Sequence, residues 1–566
     1  MARVSPEFIT VDGHGTVTSP AAGIRNAVRV SHGDASPPFH DDAVIPDTRG
    51  LTARVGLYPP YPATRPAIRS AVRQTKEPFM GNSAETEAAT ARMHQFYIDG
   101  AWVDATGPDR SDVVNPATEE VIAEMALGTV EETDRAVAAA HAAFPAWAAT
   151  QPAERAAKIV RLRELILENA QDIARAITAE MGAATTYAQA AQVPLAAEHL
   201  RAACEVLGDY AFLTRRGQAA ILREPIGVCG LITPWNWPLY QITAKVGSAL
   251  AAGCTVVLKP SELSPLSAAL FADLVDRAGF PAGVFNLVNG TGPVVGARLA
   301  EHPDVDMVSI TGSTRAGVAV AQAAAATVKR VAQELGGKSP NVILPDADLA
   351  KAVPPGVASA MRNVGQSCSA PTRMIVPRAR LAEVEALAVG ALENMRVGDP
   401  TDPETTHGPS SNRAQYARVQ AMIQTGIDEG AKLLAGGPGR PDGLTRGFFS
   451  RLTIFSEVTT GMAVAQEEIF GPVLVILAYD DVAEAIAIAN DTVYGLGAHV
   501  QGTDMALVRS TAACIRAGQV HLNYPAWDPH VPFGGYKQSG NGREYGVEGL
   551  EEYLETKSIL GYFDEH

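Results

Sequence analysis

Five cysteines occur in the chain, Cys204, Cys229, Cys254, Cys368 and Cys514, with no CxxC pairing and no histidine at zinc-ligand spacing. A disulfide framework, a structural zinc or another metal site is therefore not expected. Four of the five sit among apolar or helix-forming neighbours and read as small buried hydrophobes. Cys368 differs, because Gly365-Gln366-Ser367-Cys368-Ser369-Ala370 is a small, polar stretch that leaves a thiol accessible. Such a thiol is a covalent nucleophile wherever its surroundings favour the thiolate, since a free thiol titrates near ~8.5. Two other segments carry groups that could work with it. Asn236 lies in Ile232-Thr233-Pro234-Trp235-Asn236-Trp237-Pro238-Leu239, and Glu334 opens Glu334-Leu335-Gly336-Gly337-Lys338-Ser339-Pro340.

These residues need elements to position them. Ile226–Thr233 reads as a strand, Leu239–Ala252 as a helix and Thr255–Leu258 as a strand. A helix from about Pro265, the strand Val284–Val288, a helix near Pro293–Ala300 and the strand Asp306–Thr311 follow. Short apolar strands alternating with helices imply parallel βαβ units in a doubly wound sheet, with ligands at the carboxyl ends of the strands. A second α/β stretch over 335–520 repeats the alternation more loosely. Upstream, Thr129-Val130-Glu131-Glu132 is a capping box before an Ala-rich amphipathic helix. A second long helix is expected from Pro152 to Met181, closed by Gly182.

The three chemical segments, the third running Asn363-Val364-Gly365-Gln366-Ser367-Cys368 and closing at Ala370-Pro371-Thr372-Arg373, resemble the aldehyde dehydrogenase superfamily. The resemblance extends from about Phe96 to Ile559. It implies that Cys368 attacks the aldehyde carbon and that the Asn236 amide steadies the resulting oxyanion. It also implies that Glu334 activates the water that hydrolyses the thioester, its pKa raised by desolvation among apolar and glycine neighbours. A field favouring the Cys368 thiolate is expected with this chemistry. Lys245, and Glu544 in Ser539-Gly540-Asn541-Gly542-Arg543-Glu544, match a family pair held to relay protons.

The same resemblance implies NAD as cofactor. Lys259 and Glu262, in Lys259-Pro260-Ser261-Glu262, would hold ribose hydroxyls, and the carboxylate would disfavour a 2′-phosphate. Gly312 and Ser313 would meet the pyrophosphate at a helix start, and Gly292 would allow close approach on the adenine side. Thr233, Trp235 and Leu335 are further cofactor candidates, and Glu468 and Phe470 match groups around the nicotinamide ribose and ring. Trp237, Tyr240 and Phe533 would line the aldehyde tunnel, with Trp527 as a possible fourth member, which suits a neutral hydrophobic or aromatic substrate.

Length and composition fit an ordinary soluble globular protein of two to four domains: 566 residues, 46% hydrophobic, 19% charged, net charge −16. The negative charge argues against nucleic acid or anionic lipid as partner, no apolar run approaches a membrane span, and a cytoplasmic location is expected. Residues 1–92 are rich in Pro, Gly, Ser, Arg and His and lack periodicity, which reads as a disordered or non-native extension. The expected organisation is then an NAD-binding domain (93–333) with an oligomerisation arm (208–224), a catalytic domain (334–523), and a terminal segment (524–566) at the substrate mouth with a strand near Leu554–Gly561. Family resemblance implies a homodimer or homotetramer. Two other functions remain open at this point. One is a semialdehyde dehydrogenase for a carboxylate-bearing aldehyde, which would need a tunnel arginine that the sequence does not place. The other is a catalytically silent nucleotide-binding scaffold.

Overall fold

The computed structural model describes residues Ala89–Asp564. An eight-stranded sheet organises the amino-terminal part. Its centre is five parallel strands, ordered Arg330–Glu334, Met307–Thr311, Val228–Ile232, Thr255–Lys259 and Phe285–Leu287. Antiparallel strands close both edges, Gly540–Asn541 on one side, Gln95–Ile98 and Ala101–Asp104 on the other. Val228–Ile232, Thr255–Lys259 and Met307–Thr311 are buried along their whole length, as strands covered by helices on both faces must be. The chain moves outward from Val228–Ile232 in one direction and returns to its other side with Met307–Thr311. That reversal opens a crevice at the carboxyl ends of the two strands, where Thr233 and Gly312 stand.

A second sheet contains seven strands, ordered Lys432–Ala435, Thr453–Ser456, Val473–Tyr479, Arg373–Pro377, Pro340–Ile343, Gly497–Gln501 and Gln519–Leu522. All its pairings are parallel except the first. The chain is thus α/β throughout, with a doubly wound sheet joined to a second α/β layer. A small third sheet pairs Leu213–Arg216, Ala219–Pro225 and Leu554–Ile559 antiparallel. Among the described residues no helix is long and apolar enough to cross a membrane.

Several local expectations meet their structural outcome here. Thr129 and Glu132 form the capping box, each side chain accepting the other's backbone N–H at the head of Val130–Ala148. The single helix expected from Pro152 to Met181 is instead two, Pro152–Glu168 and Ala170–Met181. The break falls at Asn169, whose side-chain amide turns back to the Leu165 carbonyl at 2.6 Å, a local bond that competes with helix continuation. Gly182 does close the second helix, at φ +85°.

The boundary expected at residue 93 also shifts. Residues 1–88 lie outside the described residues, but Ala89–Arg92 form a helical turn already packed on the core. Ala89 is buried with Met93 in the main cluster, and Arg92 lies over the Trp102 ring 4.9 Å from its centroid and pairs with Asp273 at 3.6 Å. Apolar burial fixes this turn, and composition gave no sign of it. Cys514, expected to be buried, is exposed at the end of Met505–Ala513.

Candidate active site

Cys368 sits in the loop between Leu349–Met361 and the strand Arg373–Pro377, at the amino edge of the second sheet. Glu334 ends a strand of the first sheet, and Asn236 follows another by four residues. The three groups therefore meet between the carboxyl edge of one sheet and the amino edge of the other. The cysteine loop is tightly specified. Asn363, Val364 and Gly365 are consecutive left-handed residues, at φ +52°, +59° and +69°, an uncommon backbone that only surrounding bonds can hold. A Cβ on Gly365 would run into the Gly471 carbonyl. The Gln366 carbonyl accepts from the Asn236 amide at 3.0 Å and from the Asn363 amide at 3.2 Å, while Asn363 also donates to the Asn236 carbonyl at 2.9 Å. Trp237 Nε1 donates to Ser367 Oγ at 2.9 Å. Asn236 is thus tied to the loop that carries Cys368, and among the described residues no acceptor takes the second hydrogen of its amide.

Glu334 is buried and, among the described residues, neither carboxylate oxygen has a hydrogen-bond partner. Desolvation, and then the charge of Glu544, hold its pKa well above the usual carboxylate range; Lys245 and Arg543 pull the other way. The expected direction and its cause are both present. Lys245 and Glu544 form a buried ion pair at 2.6 Å, and Lys245 also donates to Ser309 Oγ at 2.9 Å. The expectation for Cys368 is corrected. Burial, followed by the charges of Glu468, Glu334 and Glu544, pushes its thiol well above the ordinary cysteine range, opposed by a hydrogen bond from the Ser369 backbone. Three carboxylates converge here, so the protein's own field disfavours the thiolate.

The crevice at the first sheet's carboxyl edge holds most of the remaining candidates. Thr233 Oγ1 is buried without a partner. Lys259 Nζ pairs with Glu262 at 3.0 Å, the lysine buried and the carboxylate half-exposed. Gly292 begins a short π-turn, and a side chain there would meet no protein atom within 4 Å, so the space is open. Two details at the helix Thr314–Ala324 amend the expectation. Ser313 Oγ caps the helix by accepting from the Ala316 N–H at 3.2 Å, and the Gly312 N–H is committed to the Glu334 carbonyl at 3.0 Å. The amides left to meet an anion are those of the helix's own first turn. Leu335 is buried against Gly317, with its N–H on the Ser539 carbonyl at 2.9 Å. Trp235 meets Phe470 edge to face at 5.4 Å. Glu468 turns inward: the Gly337 N–H donates to it at 3.0 Å, a Cβ on Gly336 would collide with it, and burial raises its pKa to about 7.

A cavity of about 340 Å³ leads to Cys368. Trp237, Tyr240 and Phe533 line it, and Trp527 joins them. Their rings interlock, Trp237 to Tyr240 at 5.4 Å and Tyr240 to Trp527 at 6.2 Å. Residues that sequence reasoning did not reach complete the lining. Tyr545 donates to the Tyr240 hydroxyl at 2.9 Å and stacks on Phe533 at 5.5 Å. Phe533 in turn exchanges backbone hydrogen bonds with Glu544, so the tunnel wall and the Lys245–Glu544 pair share one bridge. Arg362, His499, His521 and Tyr524 form another part of the lining. The one available signal was a histidine set between apolar neighbours in each strand, His499 between Ala498 and Val500 and His521 between Val520 and Leu522.

A family model described as the aldehyde dehydrogenase family matches residues 102–559. The chain is 54% identical to a Pseudomonas 3-succinoylsemialdehyde-pyridine dehydrogenase over 469 residues, covering 83% of this chain and 98% of that protein. Its structure is similar to aldehyde dehydrogenase C of Pseudomonas syringae, solved as a cysteine-to-alanine mutant with NAD+ and octanal. The TM-score is 0.83 at 66% identity, over 84% of this chain and 98% of that one. It is also similar to the NAD+ complex of an aldehyde dehydrogenase from Bacillus cereus, with TM-score 0.81, 39% identity, and 84% and 98% of the two chains covered.

Proposed function

The chain belongs to the aldehyde dehydrogenase family, and from that premise we propose that it oxidises a neutral, largely apolar aldehyde to the carboxylic acid, with NAD as cofactor and water as acyl acceptor. One observation carries this reading: a cysteine lining an aromatic cavity, in the field of a buried carboxylate that has no partner on either oxygen among the described residues. Cys368 attacks the aldehyde carbon. The Asn236 amide and the Cys368 backbone N–H are the donors for the oxyanion. NAD, when bound, supplies the hydride acceptor and a positively charged ring that offsets the carboxylates around Cys368. The thioester left on Cys368 is hydrolysed by water that Glu334 deprotonates, and Lys245 and Glu544 take the proton onward.

The crevice residues fit a dinucleotide. An open space at Gly292 and a Thr233 hydroxyl unpartnered among the described residues are unused by the protein, and the Lys259–Glu262 pair stands at the crevice with its carboxylate half-exposed. Glu262 favours NAD over NADP by repelling a 2′-phosphate. The relatives support the substrate class, since one is a 3-succinoylsemialdehyde-pyridine dehydrogenase and another is solved with octanal. A second reading, an aldehyde bearing a carboxylate, draws on Arg362, the tunnel arginine that the sequence did not place. We read residues 89–333 as the nucleotide domain, 334–523 as the catalytic domain and the three-stranded sheet as a pairing arm of a cytoplasmic homo-oligomer. That last role is supported by the fully exposed strand Leu213–Arg216. Appearance of NADH with octanal, benzaldehyde or succinic semialdehyde tests the activity and ranks the substrates. No NADH with any of them would sink it.

A further inference from the structure

One wall of the cavity is polar in a way that the reaction at Cys368 does not use. Strands Gly497–Gln501 and Gln519–Leu522 run parallel in register, with His499 beside His521, so both imidazoles leave the same face of the sheet. The rings stack 4.7 Å apart at 18°. Among the described residues His499 Nδ1 is buried without a partner and His521 makes no hydrogen bond. Arg362 opens onto the same wall and, among the described residues, its side chain has neither an ion pair nor a hydrogen bond. Tyr524 is already engaged, donating to the Ala352 carbonyl at 2.7 Å and accepting from Asn341 at 2.9 Å. No acidic side chain lines the cavity.

Inward-facing positions of buried strands are ordinarily apolar, because a polar group without a partner loses its hydration and gains nothing. Here Gly497–Gln501 is buried except at the half-buried His499, Gln519–Leu522 is half-buried throughout, and the Arg362 guanidinium opens onto the same cavity. We infer that His521, backed by His499 and Arg362, is a specificity-determining donor that reads a neutral hydrogen-bond acceptor on the aldehyde, a ketone oxygen or a ring nitrogen remote from the reacting carbon. This rests on the proposed aldehyde oxidation and names the substrate class more narrowly. A neutral acceptor suits the wall better than a carboxylate. Burial, then the charges of His521 and Arg362, lowers His499 to about 3, and burial lowers His521 as well. Both rings are therefore uncharged at neutral pH and present a neutral N–H. The one formal charge, Arg362, is solvent-exposed and weakened by screening.

The test compares octanal with oxo-octanals carrying one ketone at different carbons, and with succinic semialdehyde, using NADH formation. At its best position the ketone should raise kcat/KM roughly ten-fold over octanal, the discrimination expected of one desolvated hydrogen bond. In His521→Phe that ratio should fall toward one, and His521→Gln, which keeps a donor, should restore part of it. Each variant is its own control through octanal, so a folding defect lowers both rates and leaves the ratio intact. A ratio near one in the unaltered protein, or one that survives His521→Phe, overturns the proposal. So does a preference for succinic semialdehyde over the ketones that disappears in Arg362→Met, because the wall would then be reading an anion. Calorimetric binding of 3-acetylpyridine, which needs no turnover, separates this inference from the reading it rests on. Binding should weaken roughly ten-fold in His521→Phe, even if no aldehyde were oxidised, and equal affinity in the two proteins overturns it.

Discussion

Lys245 and Glu544 form one ion pair but act on Glu334 with opposite sign, the lysine lowering its pKa and the carboxylate raising it. Glu334 works as a base only when ionised, so thioester hydrolysis rises with pH through its elevated pKa and fails below it. Lys245→Met removes the stabilising charge and should move the acidic limb of the deacylation rate to higher pH. Glu544→Gln removes the repelling charge and should move it to lower pH. Shifts in the same direction, or none, would show that the pair is structural only. At the cofactor crevice, the half-exposed Glu262 carboxylate should repel the additional phosphate of NADP. The unaltered protein should therefore have a higher kcat/KM with NAD, and Glu262→Ala should narrow the gap. A preference for NADP in the unaltered protein would contradict this account of the ribose site.

Elements place these residues, and the cysteine loop is the most demanding of them. Gly365→Ala should force a left-handed alanine, costing about 1–2 kcal/mol, and drive its methyl into the Gly471 carbonyl. The expected outcome is a lower Tm with slower formation of the first NADH, because Cys368 lies three residues on; an unchanged Tm and unchanged first turnover would show that the loop tolerates other shapes. Much at this scale was legible in the sequence. The βαβ alternation from Ile226 to Thr311 and the Thr129 cap are local patterns, set by neighbours within a few residues. Asn169 was not legible as a break, because an asparagine within a helical pattern bonds to its own backbone only in some contexts. Arg362, His499 and His521 were not legible either. They share a wall only because the second sheet sets Gly497–Gln501 beside Gln519–Leu522, below the helix end that bears Arg362. The field at Cys368 was misread for a related reason: Glu334, Glu468 and Glu544 are far apart in sequence and close only in the fold.

At the scale of the whole molecule, the described part begins with a turn that composition assigned to the extension. A chain starting at Ala89 should match the full chain in Tm and activity. One starting at Met93 loses the buried Ala89 and the Arg92 contacts with Trp102 and Asp273, and should be less stable by about 1–2 kcal/mol. Equal stability of the two would show that the turn contributes nothing. Joining the two sheets has a larger consequence. The nucleophile Cys368 comes from the second α/β layer and the base Glu334 from the first, each on its own element, so attack and hydrolysis should be separable. Cys368→Ala should give no NADH. The decisive measurement is rapid mixing of Glu334→Gln with aldehyde and NAD, followed by intact-protein mass spectrometry. The account predicts a burst of up to about one NADH per active site, then a stall, with an acyl group held on Cys368. Steady turnover by Glu334→Gln with no trapped acyl group would contradict it.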